Sequence, residues 1–151
     1  MNVVIMGSGR IGGTLANTLG AEGHNVTIID VDPTAFERYL AADFSGQTIL
    51  GDGIDEDVLR EAGIDRAEAF VACAHGDNHN LMAAQIAKVT FGVKRVVCRC
   101  NDPVRAEVYK DVGLVTVSPS RIAADGLRAA LLDEARHQQD VAASIAQFLV
   151  R

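Results

Sequence analysis

The sequence predicts an α/β domain, a doubly wound parallel sheet of six strands followed by C-terminal helices. Three observations carry this expectation. Strand-like runs and amphipathic helical patterns alternate from residue 2 to about residue 118, as in a parallel sheet with helices on both faces. The first apolar run, NVVIM, leads directly into the glycine-rich stretch GSGRIGG at residues 7–13. The second, NVTIID, ends in an acid, Asp30, 23 residues after Gly7.

Taken in order, residues 2–6 form the first strand, and a helix over roughly 10–22 follows, with Ile11, Leu15 and Leu19 on one face. After the GAEGH break comes the strand 25–30; Pro33, at a first-turn position where proline is tolerated, opens a helix through Leu40. The short strand 47–50 precedes GDGIDEDVLREAGI, residues 51–64, which contains a short helix whose acidic start, Asp55 to Asp57, suits the positive end of the helix dipole. The fourth strand is placed at 67–74, a helix at 80–92 stopped by Gly92, and the fifth strand at 94–100. A helix within 101–113 has Pro103 near its start, and 114–120 supplies a sixth, edge-like strand. Six strands and five crossovers fit the order 3-2-1-4-5-6.

Composition bounds the functional class. A chain of 151 residues, 48% hydrophobic and 23% charged, fits one ordinary globular domain with a real core. Its apolar runs are broken well before the roughly 18 residues a membrane span needs. The first strand begins at residue 2 and leaves no room for a signal peptide, and three cysteines are too few and odd for a disulfide scaffold, so a cytoplasmic location is expected. A net charge of -6 argues against a nucleic-acid backbone as partner.

Residues 1–120 are thus expected to form one nucleotide-binding domain and 121–151 a separate helical segment. This segment carries two apolar stripes, Ile122, Leu127 and Leu131, then Val141, Ile145, Phe148 and Leu149, joined by the polar RHQQD. With the sheet already covered, the stripes either fold back on the domain or pack against another subunit.

Gly7, Gly9 and Gly12 make G-x-G-x-x-G after a strand and at the mouth of a helix, the context a Rossmann-type dinucleotide fingerprint requires. Gly7 permits the tight turn, Gly9 a close approach of a pyrophosphate, and Gly12 close packing of helix on strand, while Ser8, Arg10 and Ile11 share the loop. Free amide N–H groups at the helix start face the phosphates. Asp30, with Val31 beside it, is placed to receive both ribose hydroxyls and repels a 2′-phosphate, which favours NAD(H) or ADP, ATP or AMP over NADP. Arg10 opposes the helix dipole and implies an anion such as a ligand phosphate, or else points into solvent. Asp52, between Gly51 and Gly53, either bonds the adenine amino group or makes a turn. Cys73, Ala74 and His75 fall at the switch point of the sheet, where ligands of such folds lie. His75, His79, Cys98 and Cys100 lack the spacing of zinc ligands, and the cysteines read as small sheet residues. No nucleophile–base pair or general acid declares itself, although a cofactor domain of an NAD-dependent oxidoreductase and a dimerisation module with a vestigial pocket remain alternatives.

Several blocks together, GSGRIGGTLA, TIIDVD, ILGDGIDEDVLREAGI, AEAFVACAHGDNHNLMAAQIAK, RVVCRCNDP and DVGLVTVSPS, resemble the regulatory nucleotide-binding domain of potassium transport systems, the TrkA-N, KTN or RCK domain, over roughly residues 1–120. The resemblance implies a ligand sensor rather than an enzyme. It implies domains that pair into homodimers, commonly four of them in an octameric ring, on the cytoplasmic face of a membrane pore subunit, with nucleotide binding biasing the pore. Carried over by residue, Gly7, Gly9 and Gly12 are the phosphate loop, Arg10 the phosphate partner, Asp30 the ribose acceptor and Asp52 the adenine contact. Arg99 and Asn101 lie near the nucleotide or the dimer interface, and the helix after Pro119 crosses to a neighbouring subunit. Family members usually carry a second, smaller regulatory domain beyond that helix and often have acidic residues where this chain has GDNHN, residues 76–80.

Overall fold

The computed structural model describes residues 1–111 and 113–132. The expected stripe of Val141, Ile145, Phe148 and Leu149 lies outside them. Six parallel strands, β1 (Asn2–Met6), β2 (Asn25–Asp30), β3 (Gln47–Leu50), β4 (Ala69–Ala72), β5 (Arg95–Arg99) and β6 (Val115–Val117), form one sheet in the order β3-β2-β1-β4-β5-β6. The connecting helices are α1 (Arg10–Ala21), α2 (Pro33–Tyr39), α3 (Glu56–Glu61), α4 (Asp77–Gln85) and α5 (Pro103–Asp111).

Alternation along each strand divides the core. Val3 and Ile5 of β1 and Val26 and Ile28 of β2 point to one face, where Ala16, Leu15 and Leu19 of α1 and Phe36 of α2 cover them. Val4, Met6, Ile29, Phe70 and Ala72 point to the other, against Leu59 of α3 and Leu81 and Ala84 of α4. Phe70 and Ile5 are completely buried, and each such side chain contributes about 1.5–3 kcal/mol relative to exposure. The short helices gain their starts from side chains: Asp32 accepts a hydrogen bond from the Thr34 N–H at 2.9 Å, and Asp55 from that of Asp57 at 2.8 Å.

Three elements differ from the sequence expectation. The helix expected at 80–92 starts a turn earlier, at Asp77, because Asp77 ties its first turn to the β5–α5 connection: its carboxylate oxygens accept from the N–H groups of Asn101, at 2.8 Å, and Asp102, at 3.0 Å. That helix also ends in a wider π turn, Ile86–Thr90, closed by the Phe91 N–H donating to the Ile86 carbonyl at 3.3 Å, with Gly92 at φ 66° turning the chain into β5. β4 spans 69–72 rather than 67–74, and β6 stops at Val117 because Pro119 opens the next helix.

Contacts divide the chain into two units, Met1–Ser118 and Pro119–Arg151. Within the second, α6 (Pro119–Leu132) carries Ile122, Leu127 and Leu131 and an Arg121–Asp125 ion pair one turn apart at 2.9 Å.

Cys73, Cys98 and Cys100 are buried free thiols. Burial is the main cause that pushes the Cys73 and Cys98 thiols up to about 12, and it raises Cys100 as well, with the Asp77 carboxylate adding to that rise. Burial also pushes the Asp77 carboxyl up, but the N–H groups of Asn101 and Asp102, the Cys100 thiol and the Arg99 guanidinium outweigh it and leave Asp77 below its ordinary 3.8.

These features generate three predictions. A Cβ on Gly12 would stand 1.8 Å from the Gly7 carbonyl oxygen. Gly12→Ala is therefore expected to lower the unfolding free energy in urea by about 3 kcal/mol, whereas Gly9→Ala, at an open cap position, stays within about 1 kcal/mol of wild type. An unchanged urea midpoint for Gly12→Ala contradicts the packing. Because the folded Asp77 carboxyl titrates below its unfolded value of about 3.8, its contribution is complete above that pH and is lost as pH falls through the lower folded value. Thermal melts of Asp77→Ala should thus show a lower midpoint at neutral pH and a shallower acid-side loss; parallel acid limbs for the two proteins speak against this role. Finally, the native protein at about pH 8 should resist iodoacetamide and take up three equivalents only after unfolding, and rapid native labelling would show that the thiols are accessible.

Candidate functional site

The C-terminal ends of β1, β2 and β4 converge on the glycine loop. Gly7 leaves β1 at φ 102°, with its N–H donating to the Ile29 carbonyl at 2.7 Å. A Cβ there would meet the Ala74 nitrogen at 2.5 Å, so only glycine allows the loop to lie against the chain leaving β4. Gly12 packs as closely against the Gly7 carbonyl and the Cys73 sulfur, which seats α1 on the sheet. Gly9, the cap residue of α1, has nothing within 4 Å of a built Cβ, and no side chain caps the helix. The first-turn N–H groups of α1 are consequently unpartnered by side chains and open to a ligand, as an anion cradle requires.

Charge is arranged around this opening. Arg10, the first residue of α1, is exposed, has no acidic neighbour in its turn and forms no ion pair among the described residues. Ile11 beside it, expected on one apolar face with Leu15 and Leu19, is instead 43% exposed and lies outside the core cluster that those two join. Asp30, half-buried at the end of β2, accepts from the Ser8 N–H at 2.6 Å and from the Asp32 N–H at 2.9 Å. These bonds hold its carboxylate against the loop, with lone pairs left for hydroxyl donors. Val31 next to it is 67% exposed. The hydroxyl oxygen of Ser8, itself fully buried, has no hydrogen-bond partner among the described residues.

A cleft of about 70 Å³ runs from the loop toward β3, lined by Gly7, Asp30, Val31, Asp52, Ala74 and His79 among others. It is smaller than the roughly 300–1,000 Å³ of ligand pockets in general, too small by itself for a whole nucleotide. Gly53 contributes by its smallness, since a Cβ would meet Met6 at 2.4 Å. The larger cleft of about 270 Å³ between Asn2, Asn25, Gln47 and Arg66 lies at the N-terminal ends of the strands, opposite the end where doubly wound sheets bind ligands.

On the other side of the loop, Arg99 at the end of β5 donates from Nη1 to the Ala74 carbonyl at 2.9 Å, and its buried Nε has no partner among the described residues. Asn80, fully buried in α4, donates to the carbonyls of Ala74, at 2.9 Å, and Arg99, at 3.2 Å, and so joins the ends of β4 and β5. Cys73 lies beneath, its thiol 3.7 Å from the Gly7 carbonyl, while His75 is exposed on the following turn. Asn101 is fixed through its backbone to Asp77 rather than facing the cleft by that bond.

The cleft is lined by Gly7, Asp30, Val31, Asp52, Gly53 and Ala74, with the Ser8 N–H bonded to Asp30 beside it and Gly12 and Cys73 as packing support, while Gly9 and Arg10 stand at the start of α1, outside its lining. Sequence reasoning missed His79, weighed there only as a metal ligand: its Nε2 lies 2.6 Å from Asp52 Oδ1. Asn80 was legible only as a polar residue inside an apolar helix, and Asp77 only as an acid near a helix start. The donor set fits an adenine nucleotide: helix amides without a side-chain cap and the Arg10 cation for phosphates, a carboxylate for ribose, and buried polar atoms at Ser8 and Arg99 that have no partner among the described residues.

The chain is 49% identical over 132 residues to the Trk system potassium uptake protein TrkA of Streptomyces coelicolor, covering 87% of this chain and 59% of that relative. The chain therefore spans less than two-thirds of the length of the curated relatives it matches most strongly. Among solved structures, the Shewanella denitrificans Kef C-terminal domain in its AMP-bound form superposes with a TM-score of 0.76 at 22% identity, covering 97% of this chain and 91% of that one. The GsuK channel bound to NAD gives 0.76 at 23% identity, covering 90% of this chain and 24% of that one. These likenesses bear on the fold. The TrkA-N domain family model matches residues 3–119, nearly the whole sheet unit, and with the S. coelicolor relative beside it the chain belongs to the TrkA-N domain family.

Proposed function

We propose that this chain is a nucleotide-sensing regulatory domain of a potassium transporter or channel, binding NAD(H) or ADP, ATP or AMP at the crevice above β1, β2 and β4. One observation carries the reading: an uncapped α1 begins at the glycine loop, with Arg10, in no ion pair among the described residues, in its first turn and the Asp30 carboxylate bonded to the Ser8 N–H. An uncapped helix N-terminus with a cation in its first turn is electrostatically incomplete, and a phosphate completes it. The AMP and NAD named for the two structural neighbours, and the potassium uptake named for the curated relative, support the same choice.

In this reading the chain is not an enzyme. Its partner is a membrane pore subunit, it acts at the cytoplasmic face of the membrane, and it works as a homodimer that assembles into a ring. None of the described helices is long and apolar enough to cross a membrane, which leaves transport to the partner. Regulation follows from differential binding, since a ligand shifts an assembly only when it prefers one conformation. Moving an equilibrium from one per cent to ninety-nine requires about 5.5 kcal/mol of preference, which several coupled subunits share.

Calorimetry with NAD, NADH, ADP, ATP and AMP tests the site. Asp30→Ala is expected to weaken every adenosine ligand by about tenfold or more, with Asp30→Asn intermediate, because a charged hydrogen-bond acceptor is lost. Arg10→Ala should weaken ATP and ADP about tenfold and AMP less, in step with phosphate length. Affinities of Arg10→Ala equal to wild type for all five ligands would dismiss its phosphate role. Absence of heat with every ligand would favour a vestigial pocket, and substrate-dependent NADH turnover would favour an oxidoreductase.

A further inference from the structure

The Asp52–His79 contact joins elements that are not neighbours in the sheet. Asp52 follows β3, and His79 lies in the first turn of α4, which follows β4. In the order β3-β2-β1-β4, two strands separate them. At ordinary strand spacing that is about 14 Å between the parent strands. The two segments reach toward each other over the ends of β2 and β1, and His79 Nε2 meets Asp52 Oδ1 at 2.6 Å beside the cleft that both residues line. The same Oδ1 accepts the Ile54 N–H at 3.1 Å. Two bonds converging on one oxygen set the direction of the carboxylate, and Oδ2 forms no protein hydrogen bond among the described residues.

As a device for stability the pair is weak. The side chains of His79 and Asp52 are 41% and 42% exposed, and ion pairs at that exposure contribute little. Their position at the wall of the cleft gives them another use. Resting on the nucleotide reading above, we propose that His79 is a positioning residue that fixes Asp52 as an acceptor for the base and so selects a 6-amino purine over a 6-oxo purine.

The chemistry runs through Oδ2. An ionised carboxylate only accepts hydrogen bonds, and an exocyclic amino group supplies a donor where a 6-oxo group presents lone pairs. A 6-oxo purine satisfies the carboxylate only with its ring N1–H, which requires the base or the acid to shift. A carboxylate held by His79 and the Ile54 N–H does not follow such a shift, and one released from His79 does. Discrimination follows because a 6-amino group donates to Oδ2, whereas a 6-oxo group sets its lone pairs against those of the carboxylate.

The test is competitive calorimetry on the full chain with ADP and IDP, which differ at that one group. Wild type is expected to favour ADP by about tenfold or more, and His79→Ala to bring the ratio within about threefold, with thermal midpoints unchanged. His79→Gln, whose amide donates to the same oxygen, should restore most of the preference. A wild-type ratio retained by His79→Ala overturns the proposal, as does His79→Gln behaving like His79→Ala. Equal wild-type affinity for ADP and IDP overturns it while leaving nucleotide binding in place. A folded chain that binds neither removes the nucleotide reading and this inference with it.

Discussion

The loop from Gly7 to Gly12 and the chain leaving β4 approach one another within the radius of a methyl group. A Cβ on Gly7 would lie 2.5 Å from the Ala74 nitrogen, and one on Gly12 only 1.8 Å from the Gly7 carbonyl oxygen. Two glycines allow the turn, the first strand and the first helix to occupy the same small volume. From that approach follows the position of α1, and with it the direction in which its unpaired amides point. Cys73, wedged under the loop, and Asn80, which joins the carbonyls of Ala74 and Arg99, hold the opposing wall. Helix start, strand end and crevice form one mechanical unit.

Electrostatics then divides the crevice into regions of different chemistry. Around α1 the partial positive charge of the helix start and the Arg10 guanidinium add in sign. On the β2 side, Asp30 supplies negative charge, held in place by two backbone N–H groups. A nucleotide carries the complementary pattern, anionic at its phosphates and rich in donors at its sugar and base. Complementarity between the two is what makes this crevice, rather than the larger cleft at the other end of the strands, the sensible place for a ligand.

Much of this architecture was legible in the residues because it depends on local rules. The unbroken apolar run from Val3 to Met6, buried along its whole length, the proline at the start of α2, and the spacing from Gly7 to Asp30 are each read within one βαβ unit. Alternation of strands and helices led to the order β3-β2-β1-β4-β5-β6 because the handedness of parallel crossovers leaves few alternatives. Element ends were less legible. The start of α4 at Asp77 depends on the N–H groups of Asn101 and Asp102, 24 and 25 residues away, and no local pattern announces them. The π turn at Ile86–Thr90 is equally silent in the sequence, since its residues also suit an ordinary helix.

By itself, then, the sequence determined the sheet, its strand order and the glycine loop, for these rest on periodicity, glycine and proline conformations and a spacing of one βαβ unit. Tertiary structure decided which polar groups meet. His79 read as a stray histidine and Asp52 as a turn residue or an adenine contact. Only the arrival of β3 and α4 at the same end of the sheet brings Nε2 and Oδ1 to 2.6 Å. Arg99 likewise became a neighbour of the site through the pairing of β4 with β5, which carries its Nη1 to the Ala74 carbonyl. Contacts between residues distant along the chain are set by how layers pack, and packing is a property of the whole fold rather than of any window of residues.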